Sequence, residues 1–126
     1  MSSALVIKEK MEKHDPRYQA GQIYCISSSE TPKIYIGGTF RALETRMKEH
    51  VKVNTHSCES REVIKHGKYD ITRICFFPCN NETELSLEEG RLIREFRGAG
   101  YDVVNEKMPG ASAMVGGKAE YKKLYK

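Results

Sequence analysis

Three groups of side chains in the sequence could do chemistry. They are two tyrosines in neighbouring apolar runs, an arginine–histidine pair, and a glutamate inside an apolar pattern: Tyr24 and Tyr35, Arg46 and His50, and Glu89. Phenol and imidazole groups exchange protons, a guanidinium binds anions, and a carboxylate binds cations or basic side chains. What these groups can do together depends on the elements that position them.

The two tyrosines lie in segments typical of a β-hairpin. Residues 21–26 and 33–38 are rich in strand-forming types, and a turn-forming cluster separates them. A turn centred on Ser29–Glu30 predicts that Tyr24 lies directly opposite Tyr35. Both tyrosines would then lie on the face of the hairpin opposite to its apolar, isoleucine-bearing face. Taken alone, the pair is better explained as a cross-strand contact that stabilises the sheet.

Arg46 and His50 are four residues apart in a predicted helix from about Arg41 to Val51. This spacing places both side chains on one face of the helix, beside its apolar stripe. Two solvated side chains on a charged helix would show the same pattern, so the pair alone does not indicate a site.

Glu89 lies in a later predicted helix, four residues after Leu85 and four before Ile93. Its carboxylate therefore points along the apolar stripe of that helix. Burying a carboxylate costs on the order of several kcal/mol unless it is paired or binds a metal ion. Two partners fit this position: Arg46 in a structural salt bridge, or a divalent cation, which prefers oxygen ligands.

A competing metal site could be built from cysteines. Cys75 and Cys79 are four residues apart, a spacing that structural zinc sites use, and His56 and Cys58 lie in a predicted loop. Short patterns of cysteine and histidine are often coincidental, and Cys75 falls in a predicted strand. One buried thiol and one loop thiol explain the cysteine pair more simply.

The predicted elements follow in the order strand, strand, helix, helix, strand, helix and extended segment. This order predicts an α+β fold in which a small three-stranded, mostly antiparallel sheet is flanked by helices. We assign residues 1–20 to an N-terminal polar arm or short helix, 21–110 to the domain itself and 111–126 to a basic C-terminal tail.

The composition fits one globular domain of an intracellular protein. The chain has 126 residues, of which 39% are hydrophobic and 30% charged, and its net charge is +4. Apolar runs stay far below the roughly 18 residues of a membrane span, so no membrane partner is expected. We find no secretion signal, which favours reduced cysteines and a cytoplasmic or nuclear location. The mild positive charge is compatible with a polyanionic partner.

In their order, the segments resemble the GIY-YIG nuclease superfamily. The motifs that carry the likeness are "IY" at Ile23–Tyr24, "YIG" at Tyr35–Gly37, and the later stretches "ALETRMKEH", "LEEGRLIREF" and "YDVVNEK". The likeness runs from about Gly21 to Pro109. The first triad departs from the family pattern because its glycine is displaced to Gly21.

The resemblance implies a DNA endonuclease that uses one Mg2+ or Mn2+ ion, with Glu89 as the protein ligand of the metal. It implies that Arg46 binds the phosphate, and that Tyr24 or Tyr35 deprotonates or orients the attacking water. We expect Tyr24 to be the base and Tyr35 to support it. His50 would relay a proton or contact the leaving group, and its presence favours the endonuclease-like branches of the family.

Other residues are expected to support the site or to contact DNA. Asn105 would hold the geometry of the site, and Gly37 with Gly38 would let the backbone turn closely where DNA approaches. The expected DNA contacts are Arg46, Lys48, Lys118 and Lys122. A non-catalytic nucleic-acid-binding module on the same fold is the alternative. Selectivity would come from DNA structure, from a second copy of the chain in a homodimer, or from a partner.

Overall fold

A computed structural model describes residues 15–52 and 59–106, which form a four-stranded sheet with helices on both faces. The chain enters through a short 3-10 helix at Pro16–Ala20. The elements that follow are β1 (Gln22–Ser28), β2 (Thr31–Thr39), α1 (Leu43–Lys52), α2 (Arg61–Ile64), β3 (Tyr69–Phe76), α3 (Glu82–Gly98) and β4 (Asp102–Val103).

The strands lie in the order β3-β1-β2-β4. β1 runs antiparallel to both β2 and β3, whereas β4 runs parallel to β2. The predicted α+β class is confirmed, with one correction: the sheet has four strands and is mixed, not three-stranded. The fourth strand has only two residues, so it is too short to show the alternation that identifies a strand in a sequence.

The register of the hairpin differs from the predicted one. Tyr24 pairs with Gly37, and Tyr35 pairs with Ile26, so the two tyrosines are not directly opposite each other. The turn itself is where it was predicted, since Ser28 pairs with Thr31, but an irregularity follows it and takes up two extra residues of β2. Because this shift is even, Tyr24 and Tyr35 still share a face, with ring centroids 6.5 Å apart.

Both faces of the hairpin are covered. One face packs on α3 through a cluster that includes Ile23, Ile36 and Ile93, each with no exposed surface. The other face packs on α2 through Tyr24 and Val63, which are also fully buried. Side chains alternate across a strand, so the two strands supply both clusters.

α1 begins and ends close to its predicted limits. α1 begins at Leu43, two residues later than expected, and Asn81 caps α3 by accepting a hydrogen bond from the backbone N–H of Glu84. α2 is a single turn, and Gly67 follows it with a positive φ of 76°, a conformation that glycine adopts readily. Within the described residues, no helix is long and apolar enough to cross a membrane.

Several predictions fall outside the described residues. These are most of the N-terminal arm, the 111–126 tail with Lys118 and Lys122, and the loop residues His56 and Cys58.

Candidate active site

A cleft of about 410 Å³ opens beside the C-terminal half of β2. Four of the five predicted catalytic side chains line it: Tyr24, Tyr35, Arg46 and Glu89. Its position follows from the topology, because β4 pairs with β2 only at Lys33 and Ile34. Beyond that point no strand among residues 15–52 and 59–106 covers the outer edge of β2, and residues from both faces of the sheet meet there.

Asn105 marks the end of the covered part of that edge. Its side chain accepts a hydrogen bond from the backbone N–H of Ile36 at 3.0 Å and donates one to the Ile36 carbonyl at 2.7 Å. The side chain is only 1% exposed and does not line the cleft. Asn105 thus replaces a strand residue in holding β2 to the segment after β4.

The Tyr24 hydroxyl is the centre of a hydrogen-bond network behind the cleft wall. It lies 2.6 Å from Nε2 of His50, and Nε of Arg46 donates a hydrogen bond to it at 3.1 Å. Tyr24 has no surface exposed to solvent, whereas Tyr35 is half-buried. The Tyr24 hydroxyl is therefore covered by Arg46 in the free protein.

His50 continues this network away from the cleft. Its Nδ1 lies 2.9 Å from the hydroxyl of Ser60, and the two residues are 2% and 0% exposed. Burial lowers the pKa of His50 to about 4, and the positive charge of Arg46 lowers it further. The negative charge of Glu49 acts in the opposite direction. A neutral imidazole has one donor and one acceptor nitrogen, so the Tyr24–His50–Ser60 chain can pass on a single proton.

Ser60 was missed in the sequence. It occupies the residue before α2, where a serine side chain ordinarily bonds to the first turn of the helix. Here the hydroxyl makes no such bond and contacts His50 instead. The pattern of a serine before a short helix gives no sign of this second use.

Arg46 and Glu89 do not form the salt bridge that was one of the two predicted partnerships. Arg46 pairs with Glu49, with Nη1 and Oε1 3.3 Å apart, and Glu49 also pairs with Arg41. Across residues 15–52 and 59–106, Glu89 makes no ion pair. The predicted salt bridge is therefore not formed, and the predicted pairing of Glu89 with a divalent cation stays a prediction.

Glu89 extends from α3 between the buried Leu85 and Ile93 to the cleft. Burial raises the pKa of Glu89 to about 7, and the nearby Glu59 adds to this effect. The backbone of Gly38 and the Arg46 guanidinium act in the opposite direction. A positive charge placed beside a buried carboxylate with such a pKa strongly stabilises its ionised form.

This carboxylate fits a metal ion of the predicted kind. The described residues contain no group of three or more histidine, cysteine, aspartate or glutamate side chains arranged around a metal site. Mg2+ tolerates this arrangement because it keeps several waters and often takes only one or two carboxylates from the protein. Glu89 can therefore serve as a single protein ligand.

The two adjacent glycines of β2 leave space for the groups on either side of the sheet. A Cβ atom on Gly37 would lie 2.4 Å from the Tyr24 hydroxyl oxygen, and one on Gly38 would lie 2.9 Å from Oε1 of Glu89. The expected backbone turn is absent, because β2 runs through both residues. The glycines are required by close approach of side chains and not by backbone conformation.

Two predicted features lie away from the cleft. Lys48 is exposed on α1 and borders a separate groove beside Tyr69 and Ile71. Cys75 and Cys79 are free thiols, and burial raises the pKa of each. Within the described residues they belong to no group of three or more histidine, cysteine, aspartate or glutamate side chains that could hold a metal ion, so this part of the chain offers no support for a zinc site.

Comparison with known proteins gives one result. No curated protein and no solved structure matches the chain. A family model described as the GIY-YIG catalytic domain matches residues 20–102. This range contains the five predicted catalytic residues but not Asn105. The chain therefore belongs to the GIY-YIG family of nuclease-type domains.

Proposed function

We propose that this protein is a divalent-metal-dependent endonuclease that hydrolyses DNA phosphodiester bonds. One observation carries the proposal: a buried carboxylate without an ion-pair partner in the described residues and a tyrosine–histidine–serine chain flank the same cleft. Hydrolysis of a phosphodiester needs a cation site and a path for the proton of the attacking water. The cleft supplies residues for both.

Glu89 would hold the Mg2+ or Mn2+ ion. When bound, the cation would stabilise negative charge that develops on the phosphate. The raised pKa of Glu89 supports this assignment, since the carboxylate is ionised more fully with a cation beside it than without one.

Tyr24 is the proposed general base. An ordinary phenol has a pKa of about 10, so it needs help to accept a proton near neutral pH. Since burial keeps the pKa of His50 low, its Nε2 would take the phenol proton only as Tyr24 accepts one from the attacking water, while its Nδ1 proton is held by Ser60. Arg46 covers the hydroxyl in the free protein, and a bound phosphate would draw its guanidinium aside and expose the hydroxyl to water.

Tyr35 would support this arrangement. Its ring packs edge-on against His50 with a centroid distance of 5.4 Å, and it also lines the cleft. His50 itself does not line the cleft, so among its two predicted roles the proton relay is the one we propose.

A non-catalytic nucleic-acid-binding module remains the second candidate. The observation in its favour is that Tyr24 has no exposed surface, so the base must be uncovered before it can act. The two candidates differ in whether the protein cleaves DNA at all.

The experiment compares nicking of supercoiled plasmid by the wild type, Glu89→Gln and Glu88→Gln, in Mg2+, Mn2+ or EDTA. Glu88 is the matched control, because it is the adjacent glutamate and pairs with Arg91 outside the cleft. We expect metal-dependent nicking by the wild type and Glu88→Gln and loss of nicking in Glu89→Gln. Absence of nicking by the wild type would refute the enzyme. Nicking that survives Glu89→Gln would refute the metal ligand.

A further inference from the structure

One end of the cleft takes no part in the chemistry described above. It is formed by Tyr18, Phe40 and Arg41. The rings of Tyr18 and Phe40 pack with centroids 4.8 Å apart, and the Arg41 guanidinium carbon lies 5.9 Å from the Phe40 centroid. An arginine at this distance from an aromatic ring is attracted to it, which favours one position of the guanidinium.

The backbone of Arg41 is fixed by two buried polar side chains. The hydroxyl of Thr39 accepts a hydrogen bond from its N–H at 3.0 Å, and the side-chain amide of Gln22 donates one to its carbonyl at 2.9 Å. Both residues are only 7% exposed. Buried polar groups need hydrogen-bond partners, and these two find theirs in the residue that presents Arg41 to the cleft.

Glu49 shows that Arg41 and Arg46 can each bind a separate anionic oxygen at the cleft. Its two carboxylate oxygens accept separately, Oε1 from Arg46 and Oε2 from Arg41. The Arg41 side chain is 52% exposed and that of Glu49 is 34% exposed. An ion pair this open to solvent contributes little stability, so an anion with several oxygens can replace the carboxylate.

We propose that Arg41 is a second phosphate-binding residue, which holds a DNA backbone phosphate beside the one bound by Arg46. Glu49 occupies this two-arginine site in the free protein and yields it when DNA binds. The inference rests on the proposed function in that it names DNA as the ligand. It does not depend on cleavage.

The test measures binding of the full chain to a DNA duplex in EDTA over a series of salt concentrations. Each phosphate contact made by an arginine releases about one counterion, so Arg41→Ala should reduce the log–log salt slope by about one. Arg91→Ala is the matched control, because Arg91 is likewise an exposed arginine paired with glutamate, here Glu88 and Glu95, but lies outside the cleft. Its slope should equal that of the wild type.

Two further variants separate the site from a general effect of charge. Glu49→Gln should tighten DNA binding several-fold, because the competing carboxylate is removed. Arg41→Lys should keep the salt slope but bind more weakly than the wild type, because an ammonium lacks the two-pronged geometry of a guanidinium.

The outcomes distinguish this proposal from the endonuclease. If the wild type binds and nicks DNA while Arg41→Ala keeps the wild-type slope, the second phosphate site is refuted and the enzyme stands. If Arg91→Ala lowers the slope as much as Arg41→Ala, the effect is one of net charge and the site is likewise refuted. A wild type that neither binds nor cleaves DNA overturns both proposals.

Discussion

The two walls of the cleft bury polar groups in different ways. The tyrosine wall consists of Tyr24, His50 and Ser60, whose hydroxyl and ring nitrogen atoms are hydrogen-bonded to each other. The carboxylate wall is Glu89 over Gly38, where burial raises the pKa of the carboxyl and no ion pair forms among the described residues. The first wall is completed by the chain itself, whereas the second would be completed by the proposed cation.

This contrast has an energetic consequence. A buried network in which the polar groups have partners contributes to stability and fixes a unique geometry. A buried carboxylate near neutrality lowers stability when it ionises, and a ligand that binds it restores what was lost. Substitution in the tyrosine wall should therefore lower the stability of the free protein, whereas replacement of Glu89 should raise stability at the pH where the carboxylate ionises and should remove the response to metal ions.

The largest expected effect is on cleavage by Tyr24→Phe. Loss of the proposed base should lower the rate by about 10²- to 10⁴-fold, the usual range for a general acid–base group. Tyr35→Phe is the matched control, since it removes a hydroxyl from the same face and the same cleft, and it should lower the rate by about tenfold at most. Single-turnover nicking rates measure both. A larger loss in Tyr35→Phe would reverse the assignment of the two tyrosines.

The two walls should also give opposite pH dependences of the free energy of unfolding in EDTA. Burial raises the pKa of Glu89 from 4.5 to about 7. As the pH rises, the unfolded chain therefore releases this proton first, and the free energy of unfolding falls between those two values. Burial lowers the pKa of His50 from 6.5 to about 4. Between these two values the unfolded chain is the more protonated state, so the free energy of unfolding increases as the pH rises from about 4 to 6.5. Each contribution is at most about 3 kcal/mol.

These slopes oppose each other in the wild type, and one substitution separates them. Glu89→Gln should remove the contribution of Glu89 and keep that of His50. The variant should therefore become increasingly more stable than the wild type as the pH increases towards 7. Mg2+ added above pH 7 should stabilise the wild type and not the variant. Urea unfolding from pH 4 to 8 measures both effects. If the free energy of unfolding depends on pH in the same way in both proteins, ionisation of Glu89 does not destabilise the fold.

The adjacent glycines allow a comparison within two residues of β2. Gly37→Ala would drive a Cβ into the ring and hydroxyl of Tyr24, which is held by His50 and Arg46. Such overpacking should cost about 3 kcal/mol. Gly38→Ala meets the end of the Glu89 side chain, which can shift, and Cγ of the buried Leu85 at 3.1 Å, so it should cost about 1 to 2 kcal/mol. Denaturant unfolding in EDTA measures both, and equal losses would contradict the difference between the walls.

Much of this site follows from periodicity in the sequence. Tyr24 and Tyr35 share a face because strand side chains alternate, and an even shift in register preserves that. Glu89 reaches the cleft because helical spacing sets it between Leu85 and Ile93. Arg46 and His50 follow from the same rule.

Other features depend on contacts that no local pattern encodes. The register of the hairpin depends on an irregularity in β2, and β4 is too short to show a period. Ser60 meets His50 only because α2 packs under the sheet, so the contact is set by tertiary structure. The role of Gly37 likewise depends on which side chain lies above it.

Ser60→Ala should have a modest effect on the tyrosine wall. The substitution removes the hydroxyl that contacts Nδ1 of His50 and leaves a buried imidazole nitrogen without that partner, at a cost of about 1 to 2 kcal/mol. A role in stability alone would leave the pH profile of cleavage unchanged. If Ser60 holds the Nδ1 proton, the loss frees the other tautomer of His50, and the cleavage rate should rise more steeply with pH because Tyr24 has lost its acceptor. Ser60→Thr keeps a hydroxyl and should restore the wild-type profile. A profile that is the same in Ser60→Ala and the wild type would confine Ser60 to stability and leave the proton path to end at His50.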